Sequence, residues 1–257
     1  GPFSRDVMGY RHAIVMSDKP GVSSTRSDGC RLHEVRWNEL PVDVAAAEID
    51  GVIFDDPRAT HTELPSVIAT LPNVRWVSIE ARSIAMLTPS ALPRLADLVI
   101  SGTTDVVMPK GPWPELRMLR AREAKVKLRA DELPVLESAE LRVKTKADLS
   151  EVGRLRRLRA LRIGPVRADA TVAALAELPL TSLHFERGTI AELDGLLRWP
   201  KLETFGAFRC TGLKNVDALS KLKALRSVVF VGCRDHGGVL SKAVTKLRAR
   251  GIDTELS

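Results

Sequence analysis

A short pattern recurs along the chain and constrains its fold more than any other feature. The pattern is h-Pro-x-h-x-x-h-x-h, where h is an apolar residue and x is any residue. It is seen at 71–79, 92–100 and 133–141. Related copies begin at Trp113 and Trp199. One such unit cannot bury its apolar face alone, so a chain that repeats it is expected to stack the units. The repeat therefore predicts a solenoid.

Nine pairs of apolar residues mark the strands of this solenoid. The first members recur every 20 to 25 residues and form a first apolar column: Val52, Val77, Leu98, Leu119, Ala139, Leu161, Leu183, Phe205 and Val228. The second members follow two positions later and form a second apolar column: Phe54, Ile79, Ile100, Ala121, Leu141, Ile163, Phe185, Ala207 and Phe230. A spacing of two places both side chains on one face of a strand, so both columns are expected in the core.

The run Val-x-x-Leu-x-x-Leu-x-x-Leu-x-x-Val-x-Phe at 216–230 resembles the short, 21–23-residue class of leucine-rich repeat. The resemblance covers about nine coils at 49–235. It implies an α/β solenoid, a right-handed horseshoe with parallel strands on its concave face and short helical or extended segments on its convex face. The asparagine that the family usually carries three positions past the second apolar residue is missing. Cys210 and Cys233 occupy that position in adjacent coils, where we expect two buried thiols that fill small holes.

Two flanking segments lie outside the repeat. Residues 1–48 hold two stretches with strand-like alternation, 11–16 and 30–37, and we expect an N-terminal β cap that covers the core of the first coil. A short helix is expected at 41–48.

At the other end, residues 236–257 are expected to form a C-terminal capping helix and tail. Val239, Ala243, Val244 and Leu247 have helical spacing, and Gly251 follows as a C-cap.

Composition and motifs narrow the class of function. No apolar run approaches the roughly 18 residues that cross a bilayer, no secretory leader opens the chain, and three cysteines are few, so we expect a cytoplasmic protein with no membrane contact. Phosphate-binding glycine loops, His-Glu-x-x-His and Cys-x-x-Cys are absent, and the five histidines are scattered. We therefore expect no catalytic residues, no metal and no cofactor. An enzyme that uses Cys233 and His236 is the disfavoured alternative.

Charge is segregated along the chain. Residues 110–167 carry 16 Lys/Arg and 8 Asp/Glu, whereas residues 1–109 carry 10 and 14. The residues before, between and after each apolar pair are expected on the concave surface. Because neighbouring strands lie about 4.8 Å apart, four arginines of the middle coils are expected in one cluster: Arg120, Arg122, Arg142 and Arg162.

This cluster predicts a partner-binding surface. Its members and their neighbours on the concave face are Arg120, Arg122, Arg142, Arg162, Trp76, Glu80, Glu140, His184, Glu186 and Phe208. An acidic protein partner is favoured, because arginine pairs carboxylates with two hydrogen bonds, and the chain would then be an adaptor, inhibitor or immunity-type binder. Nucleic acid is the alternative partner. The lack of aromatic residues beside the arginines disfavours it, because bases stack on aromatic rings. A merely solvated face is the plainer interpretation, and the oligomeric state is left open.

Overall fold

The chain folds into two compact units, Gly1–Leu136 and Glu137–Ser257, each built on a parallel β-sheet. Among the described residues, no helix is both long and apolar enough to cross a membrane. The computed structural model describes residues 10–17, 30–55, 63–143, 145–190 and 192–257.

The first unit contains seven described strands. They are β1 (His12–Ser17), β2 (Arg31–Arg36), β3 (Gly51–Phe54), β4 (Trp76–Glu80), β5 (Asp97–Ser101), β6 (Asp105–Val107) and β7 (Met118–Lys127). Their hydrogen-bonded order is β2-β1-β3-β4-β5-β7, with β6 beside β7, and every pair is parallel. The two strands expected before the repeat are present, and β1 pairs directly with the first repeat strand, so the sheet of the repeat continues through them.

The described connections of the first unit include short 3₁₀ helices. They span Ala46–Glu48, Ser66–Thr70, Ala81–Met86 and Ala130–Glu132. The helix expected at 41–48 is wrong in extent, since only the last three residues are helical. Val42 is fully exposed there, so the segment has little apolar face to pack, and packing of such a face is what stabilises a short helix.

The second unit contains seven strands and three α-helices within the part described. They are β8 (Ser138–Arg142), α1 (Lys146–Gly153), β9 (Ala160–Gly164), β10 (Val166–Arg167), α2 (Ala168–Ala174), β11 (Ser182–Thr189), β12 (Thr204–Thr211), β13 (Ser227–Val231), α3 (Val239–Ala249) and β14 (Asp253–Leu256). The strand order is β8-β9-β11-β12-β13-β14, all parallel, with β10 beside β11. Further 3₁₀ helices span Asp194–Arg198, Val216–Lys221 and His236–Gly238.

The expected C-terminal helix is present as α3, and Gly251 follows it with a φ of +77°. Its buried face differs by one residue from the expectation, because Leu240 is buried while Val239 is 42% exposed. The carboxylate of Asp235 accepts hydrogen bonds from the backbone N–H groups of Leu240 and Ser241. It thereby caps donors that the first turn leaves without helical partners.

The first apolar column is in register within each unit and forms the centre of the core. Val52, Val77, Leu98 and Leu119 are successive register partners in the first unit, and the five residues from Ala139 to Val228 are successive partners in the second. Every member of the column is fully buried. Burial of a Leu, Val or Phe side chain contributes about 1.5–3 kcal/mol, so these columns are a large source of the fold's stability.

Aromatic residues add directional contacts to the core of the second unit. Phe205 packs edge-on against Phe185 and against Phe230, with ring centres 6.0 and 6.3 Å apart. Trp113 and Trp199, which the pattern places in the core, are 1% and 3% exposed. The expectation that they are core residues is confirmed.

Candidate binding surface

In each unit the predicted site residues lie on the sheet face opposite the apolar columns, here called the strand face. Trp76, Glu80, Arg120 and Arg122 belong to the first unit, and Glu140, Arg142, Arg162, His184, Glu186 and Phe208 belong to the second. A single cluster of all four arginines stays a prediction, since two of them lie in each unit.

Arg162 is the best-defined side chain of the strand face. From β9 its Nε donates a hydrogen bond to Glu186 Oε2 on β11 at 3.0 Å, and its guanidinium carbon lies 4.2 Å from the ring centre of Phe208 on β12. The side chains of Arg162 and Glu186 are 15% and 20% exposed. Arg162 is therefore held between an anion and an aromatic ring. Glu186 balances the charge of Arg162, and the distribution of charge along the sequence does not predict this ion pair.

His184, on β11, is the register partner of Arg162 and completes this cluster. Its ring centre is 5.5 Å from that of Phe208. Burial and the neighbouring Arg162 cation lower the pKa of His184 to about 4. The imidazole is consequently neutral near pH 7 and presents a ring rather than a charge.

Gly206 is the residue that lets this cluster pack, and the site prediction missed it. It follows His184 in the register and precedes Val229, at the position between the two apolar residues of β12. A Cβ there would lie 2.9 Å from His184 Cδ2 and 2.9 Å from Phe208 Cε2. The two rings therefore occupy space that a side chain at 206 would need. The available signal was that each of the other eight repeats has a side chain at this position.

Glu140 and Arg142 extend the strand face along β8. Glu140 is the register partner of Arg162 and is only 5% exposed, and its contact with a partner stays a prediction. Arg142 is half-buried and pairs in register with Gly164, which has no side chain. Gly164 in turn lies against Glu186, the register partner of Phe208, so a cation, an anion and an apolar ring follow one another across these strands.

In the first unit, Trp76 is buried, and its role as a contact residue stays a prediction. Its side chain is 1% exposed. The indole lies over Gly51, where any Cβ would overlap the ring, and it stacks on Tyr10 with ring centres 5.8 Å apart. Residues from before the repeat cover the tryptophan, a contact that repeat spacing does not reveal.

Tyr10 also reaches Asp97 on β5. Its hydroxyl donates a hydrogen bond to Asp97 Oδ2. Burial raises the pKa of Asp97, while the Tyr10 hydrogen bond and the nearby Arg120 and Arg75 cations lower it; the net direction is upward. Burial and the adjacent carboxylate raise the pKa of Tyr10. The carboxylate of Asp97 is thus engaged by a hydrogen bond within the first unit.

The remaining predicted residues of the first unit differ in exposure. Arg120 on β7 lies close enough to Asp97 to act on its charge, and its Nε and Nη2 atoms are buried. Arg122, two residues later, is exposed, and Glu80 at the end of β4 is half-buried. Arg122 is therefore the most accessible of the four arginines.

No group of three or more His, Cys, Asp and Glu side chains that could hold a metal ion occurs in the described ranges. Cys233, the nucleophile of the disfavoured enzyme hypothesis, donates a hydrogen bond to Ala207 O at 3.3 Å. His236 is exposed on a 3₁₀ helix.

Comparisons with protein-family models and with curated proteins give no match. Among solved structures, the TLR13–ssRNA13 complex is similar, with a TM-score of 0.54 and 15% identity over 82% of this chain and 36% of that chain. An internalin (inlF) from Listeria monocytogenes str. 4b F2365 gives a TM-score of 0.47 and 11% identity over 88% of this chain and 67% of that chain. The chain thus spans about a third of the TLR13 chain. The chain has the leucine-rich repeat fold, which confirms the predicted α/β solenoid of parallel strands.

Proposed function

We propose that the chain is a non-enzymatic binding module that recognises an acidic protein surface through its strand face. The observation that carries this proposal is the arrangement of Arg162, which Glu186 and Phe208 hold in one orientation on that face. A side chain ordered before binding loses less conformational entropy when a partner docks. Arginine and aromatic residues are also the types that contribute most to protein interfaces.

Charge supports an acidic partner. Residues 110–167 carry a net charge of +8, and this segment includes all four arginines of the predicted cluster. Such a field accelerates encounter with an oppositely charged surface. Guanidinium groups then select carboxylates through paired hydrogen bonds.

The test begins with affinity capture from the native source and mass-spectrometric identification of the partner. Binding is then measured for the double variant Arg122→Glu, Arg142→Glu. We expect a loss of affinity of at least tenfold with an unchanged circular dichroism spectrum. The matched control is Arg156→Glu, Arg157→Glu, which makes the same charge change at two exposed positions in the turn before β9. Undiminished capture by the Arg122/Arg142 variant rejects the proposal.

Nucleic acid is the second candidate, and one contact favours it. Sequence reasoning counted the lack of aromatic rings beside the arginines against it, yet Phe208 and His184 lie beside Arg162. Bases stack on such rings and guanidinium planes. TLR13, a structural neighbour, was solved in complex with ssRNA13.

Filter binding with single-stranded RNA separates the two candidates. A nucleic-acid-binding protein loses affinity steeply between low and physiological salt, because phosphate contacts release counterions. If the parent chain retains the RNA on the filter at low salt and the Arg142→Glu variant does not, RNA binding is favoured. No retention at low salt would eliminate it.

A further inference from the structure

Cys210 and Cys233 occupy equivalent positions in two neighbouring coils of the second unit. β12 and β13 are in register up to Phe208 and Val231, and each cysteine lies two residues past that pair. Cys210 Sγ lies 3.8 Å from Phe185 O, and Cys233 Sγ lies 3.3 Å from Ala207 O. Phe185 and Ala207 are register partners. Each thiol therefore makes the same contact to the coil before it.

The two side chains are also close enough for each to act on the pKa of the other. Neighbouring strands are about 4.8 Å apart, which is inside the Cα separation of about 4.4–6.8 Å that a disulfide spans. All three cysteines of the chain are free thiols. A bond between Cys210 and Cys233 is therefore compatible with the spacing of β12 and β13.

Their environments differ in a way that separates their roles. Cys210 is fully buried, whereas Cys233 is half-exposed and open to a reagent from solvent. The neighbouring Cys210 side chain, together with backbone groups that include that of Arg209, lowers the pKa of Cys233 to about 7 against the opposing effect of burial. The neighbouring Cys233 side chain and burial raise the pKa of Cys210. Cys233 is thus the nucleophile of the pair, because the thiolate is the reactive form.

We propose that Cys233 and Cys210 form a redox-active pair that a low-molecular-weight disulfide, such as oxidised glutathione, converts into an intramolecular disulfide. The Cys233 thiolate attacks one sulfur of the small disulfide, whose S–S bond breaks, and one thiolate leaves. Cys210 then attacks Cys233 Sγ in the mixed disulfide, gives its proton to solvent, and releases the second small thiol. Two protein thiols are oxidised to one disulfide while one small disulfide is reduced to two thiols.

This disulfide would link β12 covalently to the segment that follows β13. Cys30 takes no part, because it is buried in the first unit against Ala13 and Trp76. It serves as an internal reference thiol in the same molecule.

The experiment incubates the full chain with excess oxidised glutathione near neutral pH, quenches with acid, alkylates the remaining thiols, and maps peptides by mass spectrometry. We expect a linked Cys210–Cys233 peptide pair and an alkylated Cys30. With limiting iodoacetamide at pH 7, a thiol with a pKa near 7 should react about tenfold faster than an ordinary cysteine, in proportion to its thiolate fraction.

Variants assign the steps. Cys30→Ala should behave as the parent chain, Cys210→Ala should keep a glutathione adduct on Cys233, and Cys233→Ser should form neither product. The measurement on the parent chain decides the matter even where a variant folds poorly. Two outcomes there overturn the proposal: Cys210 and Cys233 both stay reduced, or glutathione remains on Cys233 without the link.

Discussion

The guanidinium of Arg162 lies 4.2 Å from the ring centre of Phe208, although the two residues are on strands separated by β11. Glu186 on the intervening strand accepts a hydrogen bond from Arg162, and His184 lies against the same ring. One cluster therefore ties three coils together on the face proposed to bind a partner. Its contributions to stability and to binding are separable by mutation.

The contact between Arg162 and Phe208 should be measurable as a coupling energy. We expect Arg162→Lys to destabilise the fold by about 1 kcal/mol, since lysine keeps the charge but loses the planar stack and the fixed hydrogen bond. In a double-mutant cycle with Phe208→Leu, the coupling should be about 0.5–1 kcal/mol, read from urea denaturation. Arg156→Lys at an exposed turn is the control. A coupling of zero would show that the stack contributes nothing.

Stability should fall in mildly acidic solution because of His184. Its pKa is 6.5 in the unfolded chain and about 4 in the folded one. Above pH 6.5 both states are neutral, whereas between pH 6.5 and 4 the unfolded chain gains a proton that the folded chain does not. The free energy of unfolding therefore decreases by up to about 3 kcal/mol as the pH falls through this window.

Urea titrations at several pH values check this prediction about His184. His184→Gln should remove most of the decrease, while His236→Gln, at an exposed position, should leave it unchanged. An identical pH dependence in His184→Gln and the parent chain would contradict the assignment.

The space above Gly206 should not tolerate a methyl group. We expect Gly206→Ala to destabilise the second unit by about 1–3 kcal/mol, because the new Cβ overlaps His184 and Phe208 and forces at least one ring to move. Thermal denaturation measures the effect. Adding Phe208→Leu, which shortens one of the two rings, should recover part of the loss. No recovery would show that the cost arises elsewhere.

Removal of the Tyr10 hydroxyl should lower the free energy of unfolding of the first unit. We expect Tyr10→Phe to destabilise the first unit by about 1–3 kcal/mol, because it leaves a partly buried carboxylate without one donor. Since the Tyr10 hydrogen bond lowers the pKa of Asp97, the same substitution should raise that pKa further. Urea denaturation and an NMR titration of Asp97 test the two effects. Tyr10→Leu, which also removes the stack on Trp76, should cost more.

Repeat spacing was sufficient to predict the core. Pairs of apolar residues two positions apart recur every 20 to 25 residues. This recurrence determines which side chains point inward and which strands pair, and the column from Val52 to Val228 follows the rule. The reason is physical. A shift by one residue would turn every side chain of a strand to the opposite face.

The same spacing was insufficient for the strand face. It predicts which face a residue is on but not what covers it, and Trp76 is covered by Tyr10 from outside the repeat. Tyr10 reaches Asp97 across 87 positions of sequence, a contact with no local signature. Glycine on a neighbouring strand was the missing signal, because Gly51 and Gly206 each allow an adjacent ring to lie against the sheet.

The strand β14 was also missed, since Asp253 to Leu256 contains a single large apolar residue. It forms because β13 supplies a partner in register from Ser227 to Phe230. Pairing with an existing strand can therefore create a strand that composition does not indicate.

β14 has a consequence for how copies of the molecule behave toward one another. It is four residues long, stands last in the strand order of its unit, and exposes Asp253 and Glu255. If the β14 edge strands of two copies paired, these carboxylates would approach each other at a spacing of about 4.8 Å. Like charges at that distance oppose pairing. Pairing of two copies through β14 would therefore be opposed by these two acidic side chains.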